Sequence, residues 1–183
     1  MNWKKLSSKI VLENNFFKIH EDKCEKPDGK IIEKYYRIDR PEVAVITAFT
    51  KKMELILIQQ YRHPVNSVDF ELPAGYIEDF EDDIIKAAKR ELLEETGYSV
   101  QNPEKIHTAF ASAGLMTNKI NFFVAFDAIK TAEQNLDAAE DIVVHLKPWE
   151  EALQMTASGK IKDMASITGI LLTREYLSKR EQL

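Results

Sequence analysis

The sequence has few of the features that mark secreted, membrane-bound or zinc-finger proteins. Cys24 is the one cysteine in 183 residues, so no internal disulfide can form, as is typical of proteins in a reducing cytosol. The four histidines are scattered, which argues against a zinc site of histidine and cysteine. No run approaches the roughly 18 apolar residues of a membrane span, and the opening MNWKKLSSKI lacks the apolar run of a secretory signal. We therefore expect a cytoplasmic protein without membrane association.

The sequence also lacks an excess of positive charge. The chain has 25 basic and 30 acidic residues, giving a formal net charge of −5. Such a balance exerts no general attraction on nucleic acid or anionic lipid, so we expect neither as a partner. A polyanionic substrate would have to be met by a few placed cations or by a metal ion. With 44% hydrophobic residues, the composition is that of an ordinary globular domain.

The pattern of short extended runs predicts two parts. Residues 1–40 contain two extended stretches, FFKIHEDKCE and KIIEKYYRIDR, on either side of a Pro-Asp-Gly turn. This part is predicted to be an N-terminal antiparallel β unit. Residues 41–183 form the second part, with strands predicted at VAVITAF, ELILIQQY, VDFEL, KIHTAFA, INFFVAFDA and DIVVHLK. A helix at 83–96 and two helices near the end complete an α/β layered domain.

The helix at 83–96 is predicted to turn glutamates toward the core. At about 100° per residue, its core-facing arc contains three apolar residues, Ile85, Ala88 and Leu92. Glu91 and Glu95 fall inside or beside the same arc, although a solvated face is the commoner position for glutamates on a helix.

Crowded carboxylates need a partner. Glu91 and Glu95 stand one turn apart with Glu94 beside them, and such oxygen ligands suit Mg²⁺ or Mn²⁺. Arg90 is placed to clamp a carboxylate of the preceding loop. Gly97 is expected to end the helix, and Gly75 to allow a backbone conformation that other residues resist.

Residues 75–97, GYIEDFEDDIIKAAKRELLEETG, resemble the Nudix hydrolase signature, G-x(5)-E-x(7)-R-E-U-x-E-E-x-G-U, in which U is a bulky aliphatic or similar residue. The segment RELLEETGY matches it closely. One departure concerns the loop, because 14 residues separate Gly75 from Arg90 where the signature has 13. Counting from the glycine makes Glu81 the loop acid and counting from the arginine makes it Asp82, so that assignment stays open.

The rest of the chain resembles one subgroup of that family, the ADP-ribose and nucleoside diphosphate sugar pyrophosphatases. The similar segments are QQYR, ELPAG, SAGLMTNK and GKIKDMASITGILL, together with the N-terminal β unit. The resemblance implies a Nudix α/β/α sandwich with a mixed sheet and an N-terminal antiparallel β extension. It also implies a homodimer that exchanges its N-terminal segments.

The resemblance also implies the roles of the acidic residues. The Ala74 carbonyl, Glu91 and Glu95 would bind Mg²⁺, and Glu94 would serve a further metal ion. Arg90 and Glu94 belong to the catalytic group, and Glu140 is the favoured general base. Asp137 and Asp141 are the alternatives to Glu140, and a solvated turn is the plain structural alternative for this loop.

Four more residues match substrate-binding positions of the subgroup. Arg62 would contact the phosphates, Phe17 and Tyr35 would stack on the base, and Arg40 would approach the nucleotide. An exposed cation at a strand end is the alternative for Arg62. Core or dimer packing is the alternative for the aromatic residues.

The implied activity is Mg²⁺-dependent hydrolysis of ADP-ribose to AMP and ribose 5-phosphate. GDP-mannose, a dinucleoside polyphosphate, NADH or a capped RNA end are alternative substrates, and a sensor that binds nucleotide without cleaving it is a different alternative. Such sensors commonly lack the acidic helix residues that this chain has. Sequence does not rank the nucleotide sugars, because selectivity depends on loop shape and on the dimer partner.

Overall fold

The computed structural model describes residues 1–78, 81 and 83–180. Two compact units divide the chain. The first comprises residues 1–42 with 109–119, and the second comprises residues 43–108 with the described part of 120–183. Each unit is described by itself. In the described residues, no helix has the length and apolar character needed to cross a membrane.

The first unit is a three-stranded antiparallel sheet in the order β1-β2-β3, with β1 at Lys4–Glu13, β2 at Lys18–Glu25 and β3 at Ile31–Asp39. This confirms the predicted antiparallel unit. The predicted turn is also present, with Gly29 at φ 81°. Residues 109–119 join this unit because the Ile38 backbone bonds to both Leu115 and Thr117.

Strand β1 was not among the predicted strands. Its pairing with β2 has two register shifts, between Lys5 and Ser7 and between Ile10 and Leu12. Each shift moves the following side chains to the other face of the sheet. The apolar residues of KKLSSKIVLE therefore do not alternate, and the signal by which a strand is usually identified is lost.

The second unit contains a mixed sheet of eight strands in the described residues. Five follow one another in the order β11-β5-β4-β10-β8, while β6 pairs with β5, β7 with β4 and β9 with β10. Strands β10 and β4 are parallel. The bounds are β4 Val43–Thr50, β5 Glu54–Arg62, β6 Ser67–Glu71, β7 Ala74–Tyr76, β8 Tyr98–Ser99, β9 Glu104–Phe110, β10 Lys119–Lys130 and β11 Ile142–Pro148.

Helices cover both faces of this sheet. They are α1 at Ile84–Thr96, α2 at Trp149–Ala157 and α3 at Met164–Arg180. Helix α1 packs in a buried cluster with alternate residues of β4, namely Ala44, Ile46 and Ala48. On the opposite face, Gly169 of α3 comes so close to Leu72 that an added Cβ would lie 2.7 Å from its Cδ1. The predicted α/β/α sandwich is confirmed.

Helix α1 has the ends that its sequence predicts. The Asp83 side chain caps the start by accepting a hydrogen bond from the Ile85 backbone N–H. Gly97 ends it at φ 74°, in the left-handed conformation that glycine adopts without strain. Ile85 itself is 36% exposed, so its predicted core position is wrong. Leu92 and Thr96 lie on the same side of the helix and are buried, so Ile85 is exposed because it stands in the first turn and not because the buried face is elsewhere. Ala87, which was not predicted to face the core, is buried.

The start of α3 is fastened to the chain just ahead of β7. Ser166, 1% exposed, donates its hydroxyl to Asp163 Oδ2 over 2.7 Å. The same hydroxyl oxygen accepts the Leu72 backbone N–H at 2.9 Å. Asp163 Oδ2 also accepts the Ser166 N–H, which is a helix cap. The hydroxyl therefore joins the start of α3 to Leu72, two residues ahead of β7.

Replacing Ser166 by alanine is expected to destabilise the fold by about 1–3 kcal/mol, because the buried Leu72 N–H loses its acceptor. Urea unfolding followed by circular dichroism measures the change. Ser178→Ala is the matched control, since that hydroxyl bonds to a carbonyl of its own helix. Equal stability changes in the two variants would contradict the role given to Ser166.

Candidate active site

Two buried carboxylates of α1 form the centre of the site. Glu91 is 9% exposed and Glu95 is 3% exposed, so the predicted placement of both against the core is confirmed. Burial raises the pKa of Glu91 to about 7, with the Arg90 charge opposing that shift. Burial, and after it the Glu91 charge, raise the pKa of Glu95 well above its usual value. The pair is thus poised to gain from a nearby positive charge.

The short strand β7 is shaped around these carboxylates. The Ala74 backbone N–H donates to Glu95 Oε2 at 3.0 Å. A Cβ added at Gly75 would lie 2.1 Å from the Glu91 Cδ, inside the carboxylate itself. Gly75 is not among the glycines with positive φ, so the conformational reason expected for it is wrong. The residue is a glycine because the Glu91 carboxylate occupies the space of a side chain.

Arg90 joins the helix to the loop before it. Its Nε and Nη2 donate to the two carboxylate oxygens of Glu81, each at 3.0 Å, which is the clamp predicted from the sequence. Nη1 donates to Glu91 at 2.8 Å and to Glu94 at 3.0 Å, and Nη2 also reaches the Tyr76 carbonyl. Hydrogen bonding to Arg90 lowers the pKa of Glu81. One guanidinium therefore holds three carboxylates and the end of β7.

The sequence left Glu81 and Asp82 as candidates for the loop acid, and the contact of Arg90 with the loop bears on that choice. Glu81 occupies the position that pairs with Arg90. Asp82, the alternative, lies outside the described residues. The Glu81 contact accords with the count from the glycine.

Glu140 lies in the loop between β10 and β11. Its carboxylate Oε2 accepts the Asp137 N–H at 2.9 Å, and its own N–H donates to the Asp137 carbonyl at 3.0 Å. The Glu140 charge contributes to the raised pKa of both Glu91 and Glu95. Glu140 is therefore within electrostatic reach of the buried pair. Asp141, the other alternative base, is exposed.

Arg62 ends β5 and is held by a residue that the sequence analysis did not single out. Its Nε and Nη2 donate to the two carboxylate oxygens of Glu71, at 2.8 and 2.5 Å. Glu71 is 5% exposed, and this bond raises the pKa of Arg62. About half of the Arg62 side chain is exposed. The sequence signal that could have identified Glu71 is its inward-facing position in the strand VDFEL, because a buried carboxylate needs a hydrogen-bonding or cationic partner.

The three residues predicted to contact the nucleotide, Phe17, Tyr35 and Arg40, lie in the first unit. Phe17 is half-buried in the turn between β1 and β2. Tyr35 is on β3, where its hydroxyl donates to the Gly114 carbonyl at 3.0 Å and its ring meets Trp3 edge to face. Arg40 directly follows β3 and is half-buried. Their binding roles stay predictions.

The donor set at the buried pair fits a hard divalent cation. Within residues 1–78, 81 and 83–180, no three side chains of histidine, cysteine, aspartate or glutamate form a ready cation cage. Mg²⁺, however, is commonly bound by one or two carboxylates together with substrate phosphates. Glu91 and Glu95 supply two such carboxylates, and a cation would offset the burial and the charge repulsion that together raise the pKa of Glu95.

Comparison with known proteins places this site in a family. A model described as NUDIX domain matches residues 39–168, and one described as nucleoside diphosphate sugar hydrolase N-terminal domain matches residues 3–38. A solved structure titled "Crystal structure of ADP compounds hydrolase" has the same fold, with a TM-score of 0.87 at 22% identity, covering 100% of this chain and 98% of the other.

Curated relatives span almost the same length. An ADP-ribose pyrophosphatase of Bacillus subtilis (strain 168) is 27% identical over 186 residues, covering 98% of this chain and 97% of its own. A GDP-mannose pyrophosphatase of Pectobacterium atrosepticum is 30% identical over 171 residues, covering 87% and 88%. Since the matched NUDIX domain takes up more than half of the sequence and contains the Arg90 clamp and the buried glutamates, the chain belongs to the Nudix family and is an enzyme, a Nudix pyrophosphatase.

Proposed function

We propose that this protein hydrolyses the pyrophosphate bond of ADP-ribose or a related nucleoside diphosphate sugar with the help of Mg²⁺ or Mn²⁺. The observation that carries the proposal is the buried pair Glu91 and Glu95, packed against Ala74 and Gly75. Burying two carboxylates one turn apart is unfavourable unless a cation neutralises them. The products would be a nucleoside monophosphate and a sugar phosphate.

Each part of the site has a proposed task. Glu91, Glu95 and the Ala74 carbonyl hold the cation, and Glu94 serves a further one. The cation supplies positive charge against the phosphate oxygens and makes a water molecule more acidic. Arg90 keeps the carboxylates in place through its bonds to Glu81, Glu91 and Glu94.

The remaining residues act on the water and the substrate. Glu140 accepts the proton from the attacking water, because a carboxylate within electrostatic reach of the cation-binding pair is suited to be the base. The exposed part of the Arg62 guanidinium contacts the phosphates while Glu71 orients it. Phe17, Tyr35 and Arg40 contact the nucleotide.

ADP-ribose is the first candidate substrate because the B. subtilis relative that bears that name aligns over 98% of this chain, N-terminal unit included. GDP-mannose is the second candidate, since the relatives that bear that name have identities of 28 to 31%, slightly above the 27% of the B. subtilis relative, over 84 to 87% of the chain. Hydrolysis of a substrate panel distinguishes the two.

Glu95→Gln is expected to lower the rate of nucleotide-sugar hydrolysis on the order of 100-fold, because the amide removes the negative charge that holds the cation. The assay measures phosphate released by alkaline phosphatase from the products of ADP-ribose, GDP-mannose, UDP-glucose, NADH and diadenosine polyphosphates. Glu133→Gln, the same change on a side chain that is 93% exposed, is the control. A wild-type protein that binds ADP-ribose but cleaves nothing would overturn the proposal.

The cation-free protein is expected to lose stability as the pH rises from about 4.5 to 7. The pKa of Glu91 is about 7 in the folded protein and 4.5 for an ordinary glutamate in water, so the folded state holds the extra proton in this window. Glu95 acts in the same direction. Urea unfolding in a chelator, at pH 5 and pH 7.5, measures the effect, which is on the order of 1.4 kcal/mol per pH unit. A wild type and a Glu91→Gln variant with the same pH dependence would contradict it.

We also propose a homodimer formed through the N-terminal segment. All ten residues of β1 are exposed, including Leu6, Ile10 and Leu12 at more than 40% each. Exposed apolar side chains on a sheet edge are suited to contact with a second copy. Sedimentation equilibrium should give twice the 21.1 kDa chain mass, and Ile10→Glu should weaken the association. A monomer at micromolar concentration would rule this dimer out.

A further inference from the structure

Gln134 closes the loop that contains Glu140. Its Nε2 donates to the Glu95 backbone carbonyl at 2.7 Å and to the Ile142 carbonyl at 3.1 Å. Both acceptors belong to buried residues, Glu95 at 3% and Ile142 at 6% exposure. A primary amide has two N–H donors in a fixed fork, so one side chain can bond to two carbonyls at once. The two ends of the loop, residues 134 and 142, are thereby joined directly.

The same loop is fastened to the last turn of α1. The final carbonyls of a helix lack partners within the helix and need outside donors. Here the donors come from the start of the loop. The Asn135 N–H bonds to the Glu94 carbonyl at 2.8 Å, and the N–H groups of Thr131 and Ala132 bond to the Gly97 carbonyl. The helical turn that displays the Glu95 carboxylate thus also anchors the chain that leads to Glu140.

The closed loop contains a turn of its own. The bonds between Asp137 and Glu140 form a tight turn inside residues 135–141. Glu140 is followed closely by Ile142, where β11 begins and pairs with Gln60 of β5. The position of Glu140 relative to the buried pair is therefore set by three attachments: the β11 pairing, the Asn135 bond and the Gln134 amide. The amide is the one that is made by a side chain and can be removed by substitution.

We propose that Gln134 is a positioning residue for the reaction, holding Glu140 at a fixed place relative to Glu91 and Glu95. The proposal rests on the proposed function, in which Glu140 is the base. Gln134 does not touch the reacting atoms. It acts by tying the strand that follows Glu140 to the helical turn that carries Glu95. A displacement of a base by about 1 Å lowers a rate by as much as 100-fold.

Gln134→Met tests this with little change in side-chain length, because methionine lacks both donors and brings no charge. The expected result is a fall in kcat of roughly 10-fold to 100-fold with KM nearly unchanged. Glu133→Gln, one residue away and exposed, is expected to keep wild-type kinetics. An unchanged kcat in Gln134→Met would overturn the proposal.

A double-mutant cycle separates positioning from general support of the fold. If Gln134 acts through Glu140, Gln134→Met should cost almost nothing more once Glu140→Gln has removed the base. If it only stabilises the helix end, the two losses should multiply, which would overturn the proposal. If the wild type hydrolyses none of the substrates, the proposed function itself fails. Failure of the Gln134 proposal looks different, because the wild type is then active and the two losses multiply.

Amide hydrogen exchange provides a readout that needs neither substrate nor cation. In cation-free protein, Gln134→Met is expected to speed exchange across residues 135–141, while the inner turns of α1 keep their protection. Glu133→Gln should leave both regions unchanged. Protection of residues 135–141 that survives in Gln134→Met would show that the loop is fixed without the amide, and would overturn the proposal. Gln134→Ala gives a second variant should the methionine find new contacts.

Discussion

The repulsion between two buried carboxylates is the constraint on which the rest of the site depends. Glu91 and Glu95 stand one turn apart in a region from which water is nearly excluded, and the folded chain offers each only partial compensation. Arg90 supplies a positive charge to Glu91, and the Ala74 N–H supplies a hydrogen bond to Glu95. The compensation is incomplete, as the raised pKa of both groups indicates. An apolar pair would be the more stable choice at these positions, so the cost is explained by function.

Helix α1 acts as the common support of segments that are distant in sequence. Arg90 reaches backward to Glu81 and to the Tyr76 carbonyl. The carbonyls at the other end of the helix bind the loop that precedes β11. The segment before β7 is held from the opposite face of the sheet by Ser166. Rigid elements hold functional groups more precisely than free loops do, and here each loop is attached to a helix.

The sequence predicted the elements that have a clear period and missed those whose determinants are distant. Alternation and apolar runs located β4, β5 and β10, and Gly97 located the end of α1. The bulged strand β1 was missed because its register shifts cancel the alternation. Ile85 was misplaced because angular position does not show how far along a helix its buried contacts extend: Leu92 and Thr96 on the same side are buried, whereas Ile85 in the first turn is 36% exposed.

Much the same holds for the site. The spacing within RELLEETG was sufficient to predict the buried glutamates and the Arg90 clamp, because all of these lie on one helix and the loop before it. The bond from Arg62 to Glu71 and the two bonds of Gln134 were not predictable in that way. They join residues whose proximity depends on strand pairing and loop path, and no periodic signal in the sequence records that proximity.

Gly75 has a consequence for how mutational surveys of this protein should be interpreted. Any side chain at this position would occupy the space of the Glu91 carboxylate. In a saturation library scored by turnover, position 75 would therefore be as intolerant as an acidic residue of the centre, although it has no functional group. A position that loses its variants in such a library can be one where a side chain has no room, rather than one that takes part in the reaction. The two cases are distinguished by identifying the neighbour that fills the space, which is the Glu91 carboxylate here.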